Sequence, residues 1–322
     1  MKKKILVTGG AGYIGSHICL ALYESGYIPV VFDNLSNGHK YAVKWGDFFE
    51  GDIRNIDLFR DVCRKVEPVG IVHLAGLIEV GESVEKPLDY YDVNVGGSLN
   101  VIRVAQEEGI RNIVFSSTCA TFGNPEYIPM DEKHPQNPIN PYGHSKLMVE
   151  TMLSDIARAG GISYAGLRFF NACGAANEAG IGENHDPETH AIPLILERIS
   201  EGKEFSIFGG DYDTPDGTCI RDYIHVMDLA AAHVKALGYL LSGGSSEFFN
   251  LGTGEGTSVK ELLSAISAEL GVDINSSVKG RRAGDAGELI ADITKAHKVL
   301  DWLPERTITD VIHSAAKWHD IT

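Results

Sequence analysis

The sequence predicts an α/β fold built on a doubly wound parallel sheet, with a smaller second unit interleaved toward the C-terminus. Three observations predict it. Short apolar runs alternate with amphipathic stretches through the first 170 residues, which is the rhythm of parallel strands joined by covering helices. The first run passes straight into a glycine-rich turn, TGGAGYIGSH, that opens an amphipathic segment. After residue 170 a stretch rich in Gly, Asn and Glu, NACGAANEAGIGENHDPETH, interrupts the rhythm and reads as loop.

The elements follow in order. ILVTG (5–9) is a strand and 12–24 a helix; IPVVFD (28–33) is the second strand, and a third precedes Asp52. DLFRDVCRK is a helix and GIVHLAG (70–76) a strand, followed by one long helix over 87–108. NIVFSST (112–118) is a strand; the next helix starts after Asn140, a good cap, with Pro141 at its first position. SYAGLRFF (163–170) closes this series. Beyond the loop come a helix near 190–201, a strand FSIFG (205–209), a strand-then-helix stretch over 220–240 and the run FFNLGTG. Two or three helices then surround VKGRRAGD (278–285), read as a loop. The expected division places 1–170 and about 222–252 in one unit, and about 171–221 and 253–322 in the other.

The chain has 322 residues, 43% of them hydrophobic, enough for one large or two modest domains with a proper core. The formal net charge of −16, spread without long runs, repels nucleic acid and anionic lipid, and both are discounted as partners. A small anion remains acceptable where local cations and helix ends receive it. The five cysteines show no C-x-x-C pair, which argues for a reducing compartment and against a disulfide frame or zinc site. The twelve histidines show no H-E-x-x-H or similar spacing, so no metal is expected. MKKKILVTGG has too short an apolar run for a signal peptide, and no stretch is long enough to span a bilayer. A cytoplasmic protein is expected.

Gly9, Gly12 and Gly15 stand at G-x-x-G-x-x-G spacing between a strand and a helix. Glycine there permits a tight turn and close approach of backbone to a pyrophosphate, whose charge meets the helix N-terminus. Asp33 ends the next strand, 18 residues past Gly15 (33 − 15). Its carboxylate would accept from a ribose 2′-hydroxyl and repel a 2′-phosphate, so the expected cofactor is NAD rather than NADP. Asp52, followed by Ile53, could meet an adenine amino group or simply cap a helix. Leu74, Ala75 and Gly76 end the fourth strand with small residues where a dinucleotide would pass; Asn94 is either cofactor support or a buried polar tie.

Tyr142 and Lys146 lie four residues apart in a helix, hence on one face and roughly 5–6 Å apart. An ammonium that close favours the phenolate and would draw a pKa of about 10 toward neutrality. The strand end SST sets Ser116, Ser117 and Thr118 at the same carboxyl edge, where a hydroxyl could share a substrate proton with Tyr142.

TGGAGYIG, SST and YGHSK resemble the extended branch of the short-chain dehydrogenase/reductase family. More narrowly, DNLSNG (33–38), AGLIEVGESV (75–84), KPLDYYDVNVGG (86–97), RFFNACGA (168–175), TPDGTCIRDYIHVMDLA (214–230) and RRAGD (281–285) resemble the UDP-glucose 4-epimerase family over nearly the whole chain. The resemblance implies a Rossmann-type sheet with bound NAD, and interconversion of UDP-glucose and UDP-galactose by transient oxidation at sugar C4. Tyr142 is then the acid/base on the 4-hydroxyl. Lys146 lowers its pKa and holds the nicotinamide ribose, and Thr118 orients the hydroxyl. Tyr13 and Ile14 of the glycine loop, Asn34 and Asn37 of DNLSNG, and Ser116 and Phe169 join the cofactor site. Asn171, His190 and Tyr223 contact the nucleotide sugar, and Arg221, Arg282 and Asp285 meet its diphosphate and uridine side. Of Arg281 and Arg282, the second is expected to point inward. Leu289 borders the hexose where plain-hexose epimerases often carry tyrosine, so an N-acetyl group could fit. Ile78 replaces a lysine found in some relatives.

Epimerases of UDP-N-acetylhexosamine, UDP-arabinose or UDP-glucuronate share this pattern. A 4,6-dehydratase would carry an acidic pair after the strand-end hydroxyl, where this chain has Cys119 and Ala120. A non-catalytic NAD sensor would typically lack the Tyr/Lys pair. The resemblance also implies a homodimer formed through the helices at 87–108 and 141–160.

Overall fold

A computed structural model describes residues 2–282 and 285–321. Seven strands form one sheet in the order β11-β6-β5-β4-β1-β2-β3. These are β1 (Lys4–Thr8), β2 (Ile28–Asp33), β3 (Phe48–Glu50), β4 (Gly70–His73), β5 (Asn112–Thr118), β6 (Ser163–Phe169) and β11 (Glu247–Leu251). Every neighbouring pair is parallel. The strands are apolar through their length because both faces are covered. Helices α1 (Tyr13–Glu24) and α8 (Val226–Leu241) bury Ile18, Leu22, Leu229 and Leu237 on one side. Helices α2 (Ile56–Val66), α5 (Ser98–Glu107) and α6 (Pro141–Arg158) bury Phe59, Val62, Val101 and Val149 on the other. The chain winds outward from β1 to β3 and then, from β4, in the opposite direction. That reversal opens a crevice at the carboxyl ends of β1 and β4, where such sheets receive ligands.

Beyond β6 the remaining strands make small sheets. β7 (Asn171–Cys173) pairs with β10 (Tyr223–His225), and β8 (Phe205–Phe208) with β13 (Ser276–Lys279). β9 (Ile220–Arg221) lies between β12 (Thr257–Ser258) and β14 (Glu288–Leu289). Helices α7 (Ala191–Glu201), α9 (Val259–Leu270) and α11 (Ile308–Trp318) close a further core around Ile195, Leu262 and Val311; α10 (Thr294–Leu300) contributes Ala296 and Leu300 to the core that α1 and α8 share.

The structure departs from the sequence reading at four places. The long helix over 87–108 is three pieces: α4 (Pro87–Tyr90), a wide π-helical segment Tyr91–Gly97, and α5, preceded by the short α3 (Val80–Glu85). The π turns carry Asn94, whose side chain is tied to Leu77 and Ser145, and such widened turns gather at sites where one side chain must be aimed. β4 stops at His73 because the amides of Leu74 and Ala75 both turn to the Thr8 carbonyl. Asn171–Cys173, read as loop, is a strand because β10 offers it a ladder. Val278 and Lys279, also read as loop, belong to β13 for the same reason, with β8 as partner.

Candidate active site

The glycine turn is shaped by sterics. Gly9 has φ +73°, and a Cβ there would lie 2.7 Å from the Ala75 amide nitrogen; a Cβ on Gly15 would lie 2.1 Å from the Gly9 carbonyl. Gly12 caps α1 with no side chain on the first amides and no acid in the first turn, leaving an electropositive helix end. Ile14 packs on the sheet core, and Tyr13 Oη donates to the Gly174 carbonyl at 2.6 Å. Asp33 is buried at the end of β2, its carboxylate accepting from the amides of Ala11 (3.0 Å) and Leu35 (2.8 Å). These features suit a dinucleotide: a turn with no room for side chains, free helix amides, and a fixed acid one strand away.

Around this turn the predicted positions divide. Leu74 and Ala75 flank Gly9, and Gly76 lies against Asn94, whose Oδ1 would stand 2.8 Å from a Cβ at 76. Asn94 is buried and satisfied: Oδ1 accepts from the Leu77 amide, while Nδ2 donates to the Leu77 carbonyl and to Ser145 Oγ. Its side chain therefore holds the wall of the crevice. Asp52 is engaged by the Arg54 guanidinium at 2.8 Å, and Asn34 Nδ2 donates to it at 3.1 Å. The Arg54 hydrogen bond lowers its pKa to about 2. Ile53 is buried and Asn37 is exposed. Phe169 is partly buried near His233.

The catalytic candidates meet at the end of β5 and the start of α6. Asn140 caps the helix, its Oδ1 accepting from the Gly143 amide at 2.8 Å, with Pro141 next. Tyr142 and Lys146 are both buried. Lys146 Nζ donates to the Ser116 carbonyl at 2.9 Å and lies 5.1 Å from the Phe115 ring centre. Ser116 Oγ shares a hydrogen bond with His233 Nε2. Thr118 Oγ1 accepts from the Ala120 amide at 3.1 Å, and its hydroxyl also acts on the Tyr142 phenol.

Burial adds a second influence on the pair. Burial raises Tyr142 well above its ordinary range; Thr118 opposes this, and Cys119 and Glu79 add to it. Lys146 is not among these influences; its ammonium donates to the Ser116 carbonyl and is itself desolvated. Burial lowers its pKa to about 8, with Glu150 pulling the other way. Removing a phenol from water disfavours its anion.

On the far side, Arg221 lies in β9 beside Leu289 of β14, and its charge acts on Cys119 and Tyr223. Tyr223 is buried in β10, and Asn171 donates its amide to the Asp222 carbonyl. Arg282 is exposed, paired with Asp285 at 3.0 Å and stacked over Phe208. Arg281 is exposed as well, paired with Asp211 and stacked on Tyr212. His190 stands apart, 2.9 Å from Glu183 and 3.0 Å from Glu188.

Sequence reasoning passed over Glu150 and Arg168, a bonded pair 3% and 2% exposed at their side chains for Arg168 and Glu150 respectively, joined at 2.7 Å just beneath Lys146. Ser117 Oγ donates to the same carboxylate at 2.6 Å. The signal was an arginine inside the apolar run SYAGLRFF, since a buried guanidinium needs a partner.

Comparison with known proteins agrees with this geometry. Residues 5–252 match the NAD dependent epimerase/dehydratase family. A UDP-glucose 4-epimerase of Rhizobium leguminosarum bv. trifolii is 52% identical over 316 residues, covering 98% of this chain and 97% of that one. The structure of a UDP-glucose 4-epimerase from Brucella ovis in complex with NAD superposes with a TM-score of 0.95 at 46% identity, covering 98% of each chain. A UDP-glucose-4-epimerase from Stenotrophomonas maltophila, with bound NAD and formylated UDP-arabinopyranose, gives 0.96 at 37% identity, covering 99% of this chain and 98% of that one. With a crevice shaped for a dinucleotide and likeness running nearly end to end, the chain belongs to the NAD dependent epimerase/dehydratase family.

Proposed function

We propose that the protein interconverts UDP-glucose and UDP-galactose by transient oxidation at C4 of the sugar. The observation that carries this reading is the gathering of Tyr142, Thr118 and Lys146 at the end of β5, on the same carboxyl edge of the sheet as a glycine turn that no side chain can fill. Gly9, Gly12 and Gly15 would hold the NAD diphosphate and Asp33 its ribose. Bound NAD supplies a two-electron hydride acceptor whose oxidised ring is positively charged. Tyr142 Oη, kept as the phenolate against the effect of burial by the positive ring of the bound cofactor and by Lys146, would take the proton of the 4-hydroxyl as C4 gives up hydride, and would return it to the C4 oxygen once hydride has come back to the opposite face of the sugar. Thr118 Oγ1, fixed by the Ala120 amide, orients that hydroxyl. Lys146 keeps a cation on this edge, anchored by the Ser116 carbonyl. Asn171, Arg221 and Tyr223 line the side from which the nucleotide sugar enters, with Leu289 next to Arg221. Arg282 reaches the diphosphate and Asp285 the uridine side by leaving their mutual ion pair, which the exposure of Arg282 keeps weak.

The test is conversion of UDP-galactose by the purified protein with NAD confirmed bound. Product in a ratio independent of the starting epimer supports the proposal, and no turnover refutes it. Running UDP-N-acetylgalactosamine alongside decides whether leucine at 289 admits the larger sugar.

We assign 1–170 with about 222–252 to the cofactor unit, supported by β11 joining the main sheet beside β6, and 171–221 with 253–322 to the nucleotide-sugar unit. The homodimer reading is supported by apolar side chains on α3, α4 and α6, namely Val84 (63% exposed), Leu88 (80%) and Met148 (44%). Sedimentation at twice the chain mass of 34.9 kDa is expected, and Leu88→Arg should shift it to the monomer. Among the described residues no helix is long and apolar enough to cross a membrane. The five unpaired cysteines suit the cytoplasm.

A further inference from the structure

A second cluster lies on the loop before α7. Glu183, His185, Glu188 and His190 each bring one ligand atom to a point where all four lie within 4.8 Å of one another. The sequence reading expected no metal because E-x-H-x-x-E-x-H matches none of the familiar two-histidine spacings. The fold turns that octapeptide into a cup.

Two physical accounts compete, a hydrogen-bonded ion-pair cluster and a cation site. His190 Nδ1 stands 2.9 Å from Glu183 Oε1 and 3.0 Å from Glu188 Oε1, which hydrogen bonding could explain. His185 Nδ1 stands 3.4 Å from Glu183 Oε1 and 3.7 Å from Glu188 Oε2, beyond the about 2.7–3.2 Å of a good N–H···O bond. Around a tetrahedral ion with ligand bonds of about 2.0–2.2 Å, neighbouring ligand atoms stand roughly 3.3–3.6 Å apart. The separations bracket that range.

A second observation points the same way. Glu183 is only 3% exposed, and its Oε1, aimed at both imidazoles, has no well-formed hydrogen bond; nor has the buried Nδ1 of His185. Buried polar atoms are rarely left so. The surrounding contacts hold the ligands in place. Glu188 Oε1 accepts from the amides of Thr189 and His190, both at 2.8 Å, and Trp318 Nε1 donates to the Glu183 carbonyl at 2.7 Å. Such outer contacts orient metal ligands.

We infer that Glu183, His185, Glu188 and His190 form a site for one divalent transition-metal ion of the zinc class, bound by two imidazole nitrogens and two carboxylate oxygens. Mixed nitrogen and oxygen donors select zinc or cobalt over magnesium or calcium. Four protein ligands leave no open position, so the ion is structural. It pins a strap across the crevice: Thr189 Oγ1 donates to Glu79 at 2.6 Å, His39 Nε2 meets the Asn184 carbonyl at 2.9 Å, and the His185 ring packs edge-on to Tyr13 at 6.2 Å.

The test uses untagged full-length protein, stripped with chelator and dialysed, titrated with Co²⁺ and then Zn²⁺. Uptake of one Co²⁺ per chain is expected, with the intense visible bands of four-coordinate cobalt, lost when Zn²⁺ displaces it. The melting temperature should rise on the order of 5 °C at hundredfold excess of Zn²⁺ over its Kd. His185→Ala and Glu183→Gln should each weaken uptake at least about tenfold. Should either variant misfold, the wild-type protein alone decides: no specific cobalt uptake, or the pale spectrum of six-coordinate cobalt, overturns the inference. A folded His185→Ala variant that binds as tightly as wild type overturns it too. These readouts are independent of epimerase activity.

Discussion

Replacing Tyr142 with phenylalanine is expected to lower UDP-galactose conversion by about 10²–10⁴-fold, the usual worth of a positioned acid/base, while nucleotide and NAD binding persist. The ring stays, so the packing of this buried residue against Tyr90 is kept and only the oxygen is lost. The loss should fall on kcat rather than KM, since the removed interaction belongs to proton transfer. Unchanged turnover would remove Tyr142 from the chemistry. The wild-type pH profile gives a companion result. Lys146 is an ammonium below about pH 8 and neutral above it. A cation required at this edge is therefore present at lower pH and lost as pH rises, and conversion should decline through about pH 8.

The second large effect concerns a residue that touches no ligand. Glu150→Ala leaves the Arg168 guanidinium buried without its carboxylate, and removing one partner of such a pair costs about 3–5 kcal/mol. It also strands Ser117 Oγ and Gln136 Nε2, which both donate to Glu150, and removes the one charge that supports protonation of Lys146. A loss of unfolding free energy of that size, read from denaturant titration, is expected, with activity falling at a lower pH than in wild type. A shift below about 1 kcal/mol would show that water reaches Arg168 despite its 3% exposure. Replacing both partners with apolar residues of similar volume should recover most of the stability, because no lone charge is then left behind.

Comparing residues with their final positions shows how far a linear reading reaches. Gly9, Gly12 and Gly15 were legible because a tight turn is a local event, and their spacing carries its geometry. Asn140 and Pro141 announced the start of α6 for the same reason, and that start places Tyr142 and Lys146 on one face. Arg282 and Asp285 were legible as residues but not as a mutual, exposed pair. Glu183, His185, Glu188 and His190 were visible as letters, yet their convergence depends on Trp318 holding the loop from 135 residues away in sequence.

The sequence alone determined the parallel sheet, the dinucleotide turn, the preference implied by Asp33 and the Tyr/Lys pair, since periodicity and short spacing encode what neighbours along the chain do. The tertiary structure decided the π segment at Asn94, the Arg168–Glu150 pair under the site, and the burial of Tyr142. The physical reason is desolvation. How much water a phenol or a guanidinium loses depends on every group that packs around it in space, and those groups come from strands and helices far apart in the chain.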